Sequence, residues 1–206
     1  MIAKTGCIVD ASFVEVPRQR NSKEENNDIK NGKKPENWEN SNKTSHKDTD
    51  ARWTMKRNIS HFGYKNHIKI DIKSKIITSY ATTPANVHDS RLIDKLVDKD
   101  DNVVYADAGY AGCKDKLPEN LKAEICKKGY RNNKLSKNDR CENAEKSKIR
   151  CRIEHVFGTM KTSMNNALSI KSIGKKRAEF QVGLINLVYN ILRVRFLQTK
   201  GCTVSF

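Results

Sequence analysis

Residues 6–16 read GCIVDASFVEV, and residues 103–109 read VVYADAG. The first run is short, apolar and β-branched, with Asp10 inside it and Glu15 near its end. That composition over that length reads as a buried strand. The second run is also compact and apolar. It ends in Asp107, with Gly109 just beyond, so it reads as a buried strand carrying an acid at its carboxyl end. A parallel neighbour of the first strand must arrive through a crossover connection, and the strand ending in Asp107 is the natural candidate. The two aspartates are 97 positions apart in the chain (107 − 10). If their strands are adjacent, the two carboxylates sit side by side.

Between these runs the composition changes twice. From Pro17 to about Asp50, Asn, Lys, Glu and Ser dominate and apolar residues almost vanish. Such a stretch buries too little surface to offset its ordering entropy, so a mobile loop is expected. The basic segment DARWTMKRN follows at residues 50–58, and its Trp53 either lies against a nucleic acid or anchors the loop to the body. From Phe62 the pattern is regular. Ile68, Ile70 and Ile72 alternate with Lys69, Asp71 and Lys73, a polar turn follows, and Ile76, Ile77, Ser79 and Ala81 continue. These features predict an antiparallel hairpin with one buried face.

The spacing of Leu92, Ile93, Leu96 and Val97 predicts a short helix over 88–98. A further short helix at 112–122 and a strand at 123–126 follow. Helical patterns then run over about 143–166 and from Gly174 to about Gln198. The last of these has Phe180, Leu184, Leu187, Val188 and Ile191 on one face. Strands and helices in this order predict a layered α/β domain with a mixed sheet. Residues 1–206 then form one domain with a polar insertion at about 17–57.

Forty Lys and Arg against 24 Asp and Glu leave a net charge of +16. A field of that sign attracts polyanions, so nucleic acid is the expected partner. A membrane surface is disfavoured, because no helix shows a broad apolar face opposite Lys and Arg. No run of 18 apolar residues exists, and the first residues, MIAKTGCIVDASF, lack the pattern of a signal peptide. The six cysteines (Cys7, Cys113, Cys126, Cys141, Cys151 and Cys202) form no CxxC pair. Free thiols in a reducing cytosol are therefore expected.

A third acid comes from the helix after Ser147. At 100° per residue, Arg150, Glu154 and Lys161 fall within a sector of about 40°. Ile149, Ile153, Val156, Phe157, Met160 and Met164 cluster on the adjoining face. The stripe reads plus, minus, plus. The acid suits a metal and the flanking cations suit phosphates, although an i,i+4 pair of Arg150 with Glu154 on a solvated face explains the same residues. Asp10 and Asp107 also have plain readings: a buried acid paired with a base, and a helix cap. As a set they point to metal chemistry. Two close carboxylates repel, and a divalent cation relieves them. Magnesium takes a few carboxylates together with water and phosphate oxygens.

The motifs IVDASFV, DTDARWTMKRN, HFGYKNHIKID, TTPANVHDS, VYADAGYAG and IRCRIEHVFGTMK occur in that order. Together they resemble the DDE transposases of bacterial insertion sequences, in the branch typed by insertion sequence five and close to the insertion sequence four group. The resemblance runs from about Gly6 to Arg195. It implies a ribonuclease-H-like fold, with Asp10, Asp107 and Glu154 as a metal-binding catalytic triad. It further implies magnesium as cofactor with manganese as a substitute, and DNA cleavage followed by strand transfer. DNA as partner, self-association in a synaptic complex, and a bacterial cytoplasmic location at the nucleoid are implied too.

Arg150 and Lys161 match the family's spacing around the glutamate and are expected to contact DNA, whereas Ser147 stands where the pattern has tyrosine. Asp10 lies nine residues after Met1, so the DNA-binding segment that precedes the first aspartate in longer members is expected to be absent. A basic binding module without chemistry, or an inactive remnant, explains the charge as well. His67 reads as a satisfied histidine at a strand edge, His88 and Asp89 as a helix start, and Tyr110 as a packing neighbour of Asp107.

Overall fold

β1 (Cys7–Glu15) forms as read, and its alternation assigns its side chains to two different cores. Cys7 and Val9 face one side of the sheet; Ile8 and Val14 face the other. The computed structural model describes residues 6–38, 41–131 and 133–201. β1 pairs antiparallel with β3 (Ile59–Asp71) and parallel with β5 (Val103–Ala106). β3 also pairs antiparallel with β2 (Arg52–Lys56) and β4 (Ile77–Pro84), while β5 pairs parallel with β6 (Lys122–Ile125). The path across the six strands is β2-β3-β1-β5-β6, with β4 on β3. This mixed sheet flanked by helices is an α/β architecture consistent with a ribonuclease-H-like fold.

One face of the sheet carries the short helical segments. These are the 3-10 turn Asp89–Leu92, α3 (Ile93–Leu96) and the 3-10 stretch Ala108–Lys116. Val9, Val104 and Ala106 meet Ile93, Leu96 and Tyr110 there. The other face is covered by α4 (Lys137–Lys161) and α5 (Lys175–Thr199). α4 begins earlier than its apolar periodicity predicts, because Ser136 and Asp139 form a reciprocal capping box. It buries Ile153, Val156, Phe157 and Met160, each worth about 2 kcal/mol of burial.

Both faces of β3 are covered, so the hairpin does not keep a solvated side. Lys69 and Asp71, expected to point to water, are buried. Lys69 Nζ is paired with Asp98 and, at 2.9 Å, with Asp101, which makes its burial tolerable. His67 lies in this central strand and not at an edge: it faces Ala11 on one side and Ala81 on the other.

The polar segment after Pro17 carries α1 (Lys23–Lys30) and a 3-10 turn, Glu36–Trp38, then α2 (Ser41–Ser45). Ser22 and Glu25 cap α1 reciprocally, and Trp38 is fully buried with its Nε1 donating to Glu25 at 2.7 Å. Asp48 joins this segment to the body. Its buried carboxylate accepts from Tyr64 Oη at 2.8 Å, from the amides of Asp50 and Ala51, and from the amide of Gly174 at the start of α5. Trp53 lies on β2, tilted against Phe62 with Arg18 over its ring, and remains 41% exposed.

α5 is held by polar side chains on its inner face. Asn186 exchanges hydrogen bonds with Asn66, and Asn190 pairs with both the amide and the carbonyl of Ile77. Tyr189 and Arg193 donate to the carbonyls of Lys75 and Ser74. The stripe of Phe180, Leu184, Leu187, Val188 and Ile191 consequently points away from the core and is exposed.

Candidate active site

The parallel ladder pairs Cys7 with Val104 and Ile8 with Tyr105. Asp10 lies two residues beyond Ile8, and Asp107 two residues beyond Tyr105. Side chains alternate faces along a strand, and Ile8 and Tyr105 both pack into the core shared with α4. Asp10 and Asp107 therefore sit level on adjacent strands, on the side covered by α4. Glu154 is carried by that helix, which crosses β1 and β5.

The three acids are held differently. Asp10 is half-buried. Its Oδ1 accepts from the Ala11 amide at 2.8 Å, and its Oδ2 accepts from Arg150 Nη1 at 3.2 Å. Burial pushes its pKa up to about 6; the negative charge of Asp107 adds to this, while the Ala11 amide, Arg150 and Lys56 oppose it. Asp107 caps the 3-10 stretch that follows it, its Oδ1 accepting from the Gly109 amide at 2.8 Å. A Cβ on Gly109 would stand 2.9 Å from that oxygen, so glycine permits the close approach. Glu154 is exposed, and its Oε1 accepts from Arg150 Nη2 at 3.0 Å. The i,i+4 pair expected on a plain helix face is thus present, but the same guanidinium also reaches Asp10.

Asp10 and Asp107 are brought together, and Glu154 is joined to Asp10 through Arg150. Among the described residues, no three His, Cys, Asp or Glu side chains stand close enough to hold one metal ion. Lys161, at the last turn of α4, is exposed. The donor chemistry nevertheless fits a hard divalent cation: two carboxylates repel each other, one of them partly desolvated, and a cationic group already bridges to a third.

The remaining candidates fall around this centre. Tyr110 is fully buried, and its hydroxyl has no hydrogen-bond partner. Burial holds that phenol in its neutral form, reinforced by Asp89, Asp10 and Asp107. His88 caps the turn that begins at Asp89, so the two do not form a base–orienter pair. Asp89 instead accepts from Lys65 Nζ at 2.8 Å. Sequence reasoning missed Lys65 and Lys56. Both line a cavity of about 270 Å³ with Phe13 and Asp89, which strand alternation puts on the face of the sheet opposite Asp10. Their signal was period-two alternation on β3 and β2, which places them on the same side of the sheet as Phe13.

The family model for the transposase DDE domain matches residues 2–191. This chain belongs to the DDE transposase family. No solved structure matches it. Membership gives this transposase domain a role in DNA transposition and recombination, with DNA as the partner of its basic surface. Five of its cysteines are free thiols, and Cys202 lies outside the described residues. No helix among the described residues is long and apolar enough to cross a membrane.

Proposed function

We propose that this transposase domain cleaves DNA strands and joins them to a target, with Asp10, Asp107 and Glu154 holding magnesium. The observation that carries the proposal is the level placement of Asp10 and Asp107 on paired parallel strands beneath the helix that bears Glu154. When bound, the divalent ions activate the attacking oxygen and stabilise the leaving one at phosphorus. Hydrolysis breaks a P–O3′ bond and leaves a free 3′ hydroxyl. That hydroxyl then attacks a target phosphodiester, forming one P–O bond as another breaks. No covalent enzyme intermediate is needed, because positioning and charge neutralisation carry phosphoryl transfer.

The chain's own groups have distinct tasks in this scheme. Asp10 loses its proton above about pH 6 and becomes available as a ligand. Arg150 neutralises Asp10 and Glu154 in the absence of metal, and releases them to take a phosphate oxygen when DNA is bound. Lys161 lies eleven residues further along α4, about 16 Å at 1.5 Å per residue, and contacts a more distant phosphate. The ordered motif set supports placement in the insertion sequence five and four branch. Strand transfer at two element ends calls for two copies acting together.

The test is a nicking assay on DNA bearing cognate ends, with magnesium and then with manganese. Asp10→Asn, Asp107→Asn and Glu154→Gln should each abolish metal-dependent nicking while low-salt DNA binding persists. Full nicking by any one of them removes that residue from the site. A basic module without chemistry gives no nicking from the wild type.

A further inference from the structure

The tight turn between β3 and β4 gathers cations from three elements. Lys75 belongs to the turn itself, and its Nζ donates to His155 Nδ1 of α4 at 2.9 Å. Arg152 of α4 donates from Nη1 to the Ile72 carbonyl at 2.9 Å, and Arg193 of α5 from Nε to the Ser74 carbonyl at 2.6 Å. Lys73 is exposed in the same turn. Among the described residues, no carboxylate pairs with Lys75, Arg152 or Arg193. The turn's own acid, Asp71, is buried, with its Oδ2 accepting from the amide and hydroxyl of Ser74. Partial burial holds the Lys75 amine below the ordinary lysine range; Arg193 and Arg152 add to this, and Cys151 opposes it.

The turn does not need this convergence. Lys75 has a left-handed backbone (φ 60°), where glycine or asparagine costs less. Each guanidinium spends one donor on a carbonyl and leaves the rest of its fork without a described partner. Like charges held together without a counter-ion repel, and an anion relieves them.

The surroundings indicate which anion. Ile153, Val156, Phe157 and Met160 turn one side of α4 to the core. At about 100° per residue, Arg150 and Glu154 lie on one flank of that side and Arg152 on the other. The outer ridge between the flanks carries Ser147, Cys151, His155 and Gly158, none of them acidic. A Cβ on Gly158 would meet nothing within 4 Å, so a polyanion can come close there. We infer that Lys75, Arg152 and Arg193 hold a phosphate of the DNA backbone other than the one being cut, the strand passing over the outer ridge of α4. The width of the helix, about 10 Å, puts the two phosphates about three nucleotides apart at about 3.4 Å each.

This inference deepens the proposed function and rests on DNA as the substrate, but it needs neither metal nor cleavage. Its test is therefore run in chelator, where a failure of nicking leaves it standing. A labelled duplex of random sequence is titrated by fluorescence anisotropy over a salt series. Lys75→Asn, which suits the left-handed backbone, should weaken binding several-fold and lower the slope of log affinity against log salt by about one. Arg152→Gln should act in the same direction. A variant that only loosens the turn would lose thermal stability and keep the slope. The unsubstituted chain gives a second reading: DNA should slow maleimide alkylation of Cys151 several-fold, followed by peptide mass spectrometry. Unchanged slopes in both variants, or a Cys151 alkylated equally fast with and without DNA, overturn the inference. So does a site for free anions alone, in which inorganic phosphate raises the thermal midpoint of the wild type and not of Lys75→Asn while the two bind DNA equally.

Discussion

Arg150 Nη1 lies 3.2 Å from Asp10 Oδ2, joining two residues 140 positions apart in the chain. The same guanidinium holds Glu154 at 3.0 Å. A fixed cation between two proposed metal ligands competes with a metal for them. Arg150→Gln should therefore tighten manganese binding several-fold in calorimetric titration without DNA. It should also slow nicking at least tenfold, because the phosphate loses a charged donor. Unchanged metal affinity together with unchanged nicking would reduce Arg150 to a structural clamp.

Asp48 gathers the polar segment, β3 and the start of α5 around one buried carboxylate. Asp48→Ala removes the acceptor for Tyr64 Oη and for the amides of Asp50, Ala51 and Gly174 together. Such losses cost about 3 kcal/mol or more. Urea unfolding should show the midpoint falling with little change in slope. Asp48→Asn, which keeps one acceptor oxygen, should lose less.

His67 supplies a pH dependence whose sign can be worked out. Burial keeps the imidazole neutral, holding its pKa well below the ordinary histidine range against the opposing pull of Asp89. Its Nε2 is satisfied by Thr83 Oγ1 at 2.8 Å, while Nδ1 has no hydrogen-bond partner. The unfolded chain therefore binds a proton that the folded chain refuses. The stability this group contributes is complete above the ordinary pKa of about 6.5 and is lost as pH falls below it. Between about pH 7.5 and about pH 5 the loss should reach about 2 kcal/mol, and His67→Gln should flatten it. An equal slope in the variant would assign the effect to other groups.

Lys161 is exposed at the end of α4. If it contacts a phosphate, Lys161→Ala should lower the slope of log affinity against log salt by about one, uniformly across DNA sequences. Filter binding over a salt series measures this. An unaltered slope places Lys161 outside the DNA track.

Much of the sheet was legible because its determinants are local. Two apolar runs, one around Asp10 and one ending in Asp107, marked β1 and β5, and isoleucine alternation marked β3 and β4. The partners of Lys69 were not legible. Asp98 and Asp101 stand 29 and 32 residues away, and a lysine in an alternating strand reads as solvent-facing until something neutralises it. The segment after Pro17 was expected to be mobile from its lack of apolar residues, yet it carries α1 and buries Trp38. The pair Ser22 and Glu25 was the available signal, a capping box that composition outweighed. α5 misleads in the opposite way. Its most apolar stripe faces outward, while Ala178, Val182, Asn186 and Tyr189 face inward, so hydrophobicity alone points to the wrong side. For the site, the two aspartates followed from strand order. The reach of Arg150 to Asp10 required knowing how α4 lies across β1.

The ladder between β1 and β5 has one more consequence. The ladder pairs Ile8 with Tyr105 at the pitch of neighbouring strands, about 4.8 Å, and each aspartate follows its paired residue by two positions, so the backbone and not side-chain packing sets where these two acids start. Glu154 has no such tether: it rides on a helix seated by side chains, with Ile153, Val156, Phe157 and Met160 buried beneath it and Arg150 and Arg152 bonded to Asp10 and to the Ile72 carbonyl. Repacking those four residues is thus the route by which evolution or an engineer can retune the centre, sliding one arm of a caliper while the other stays rigid.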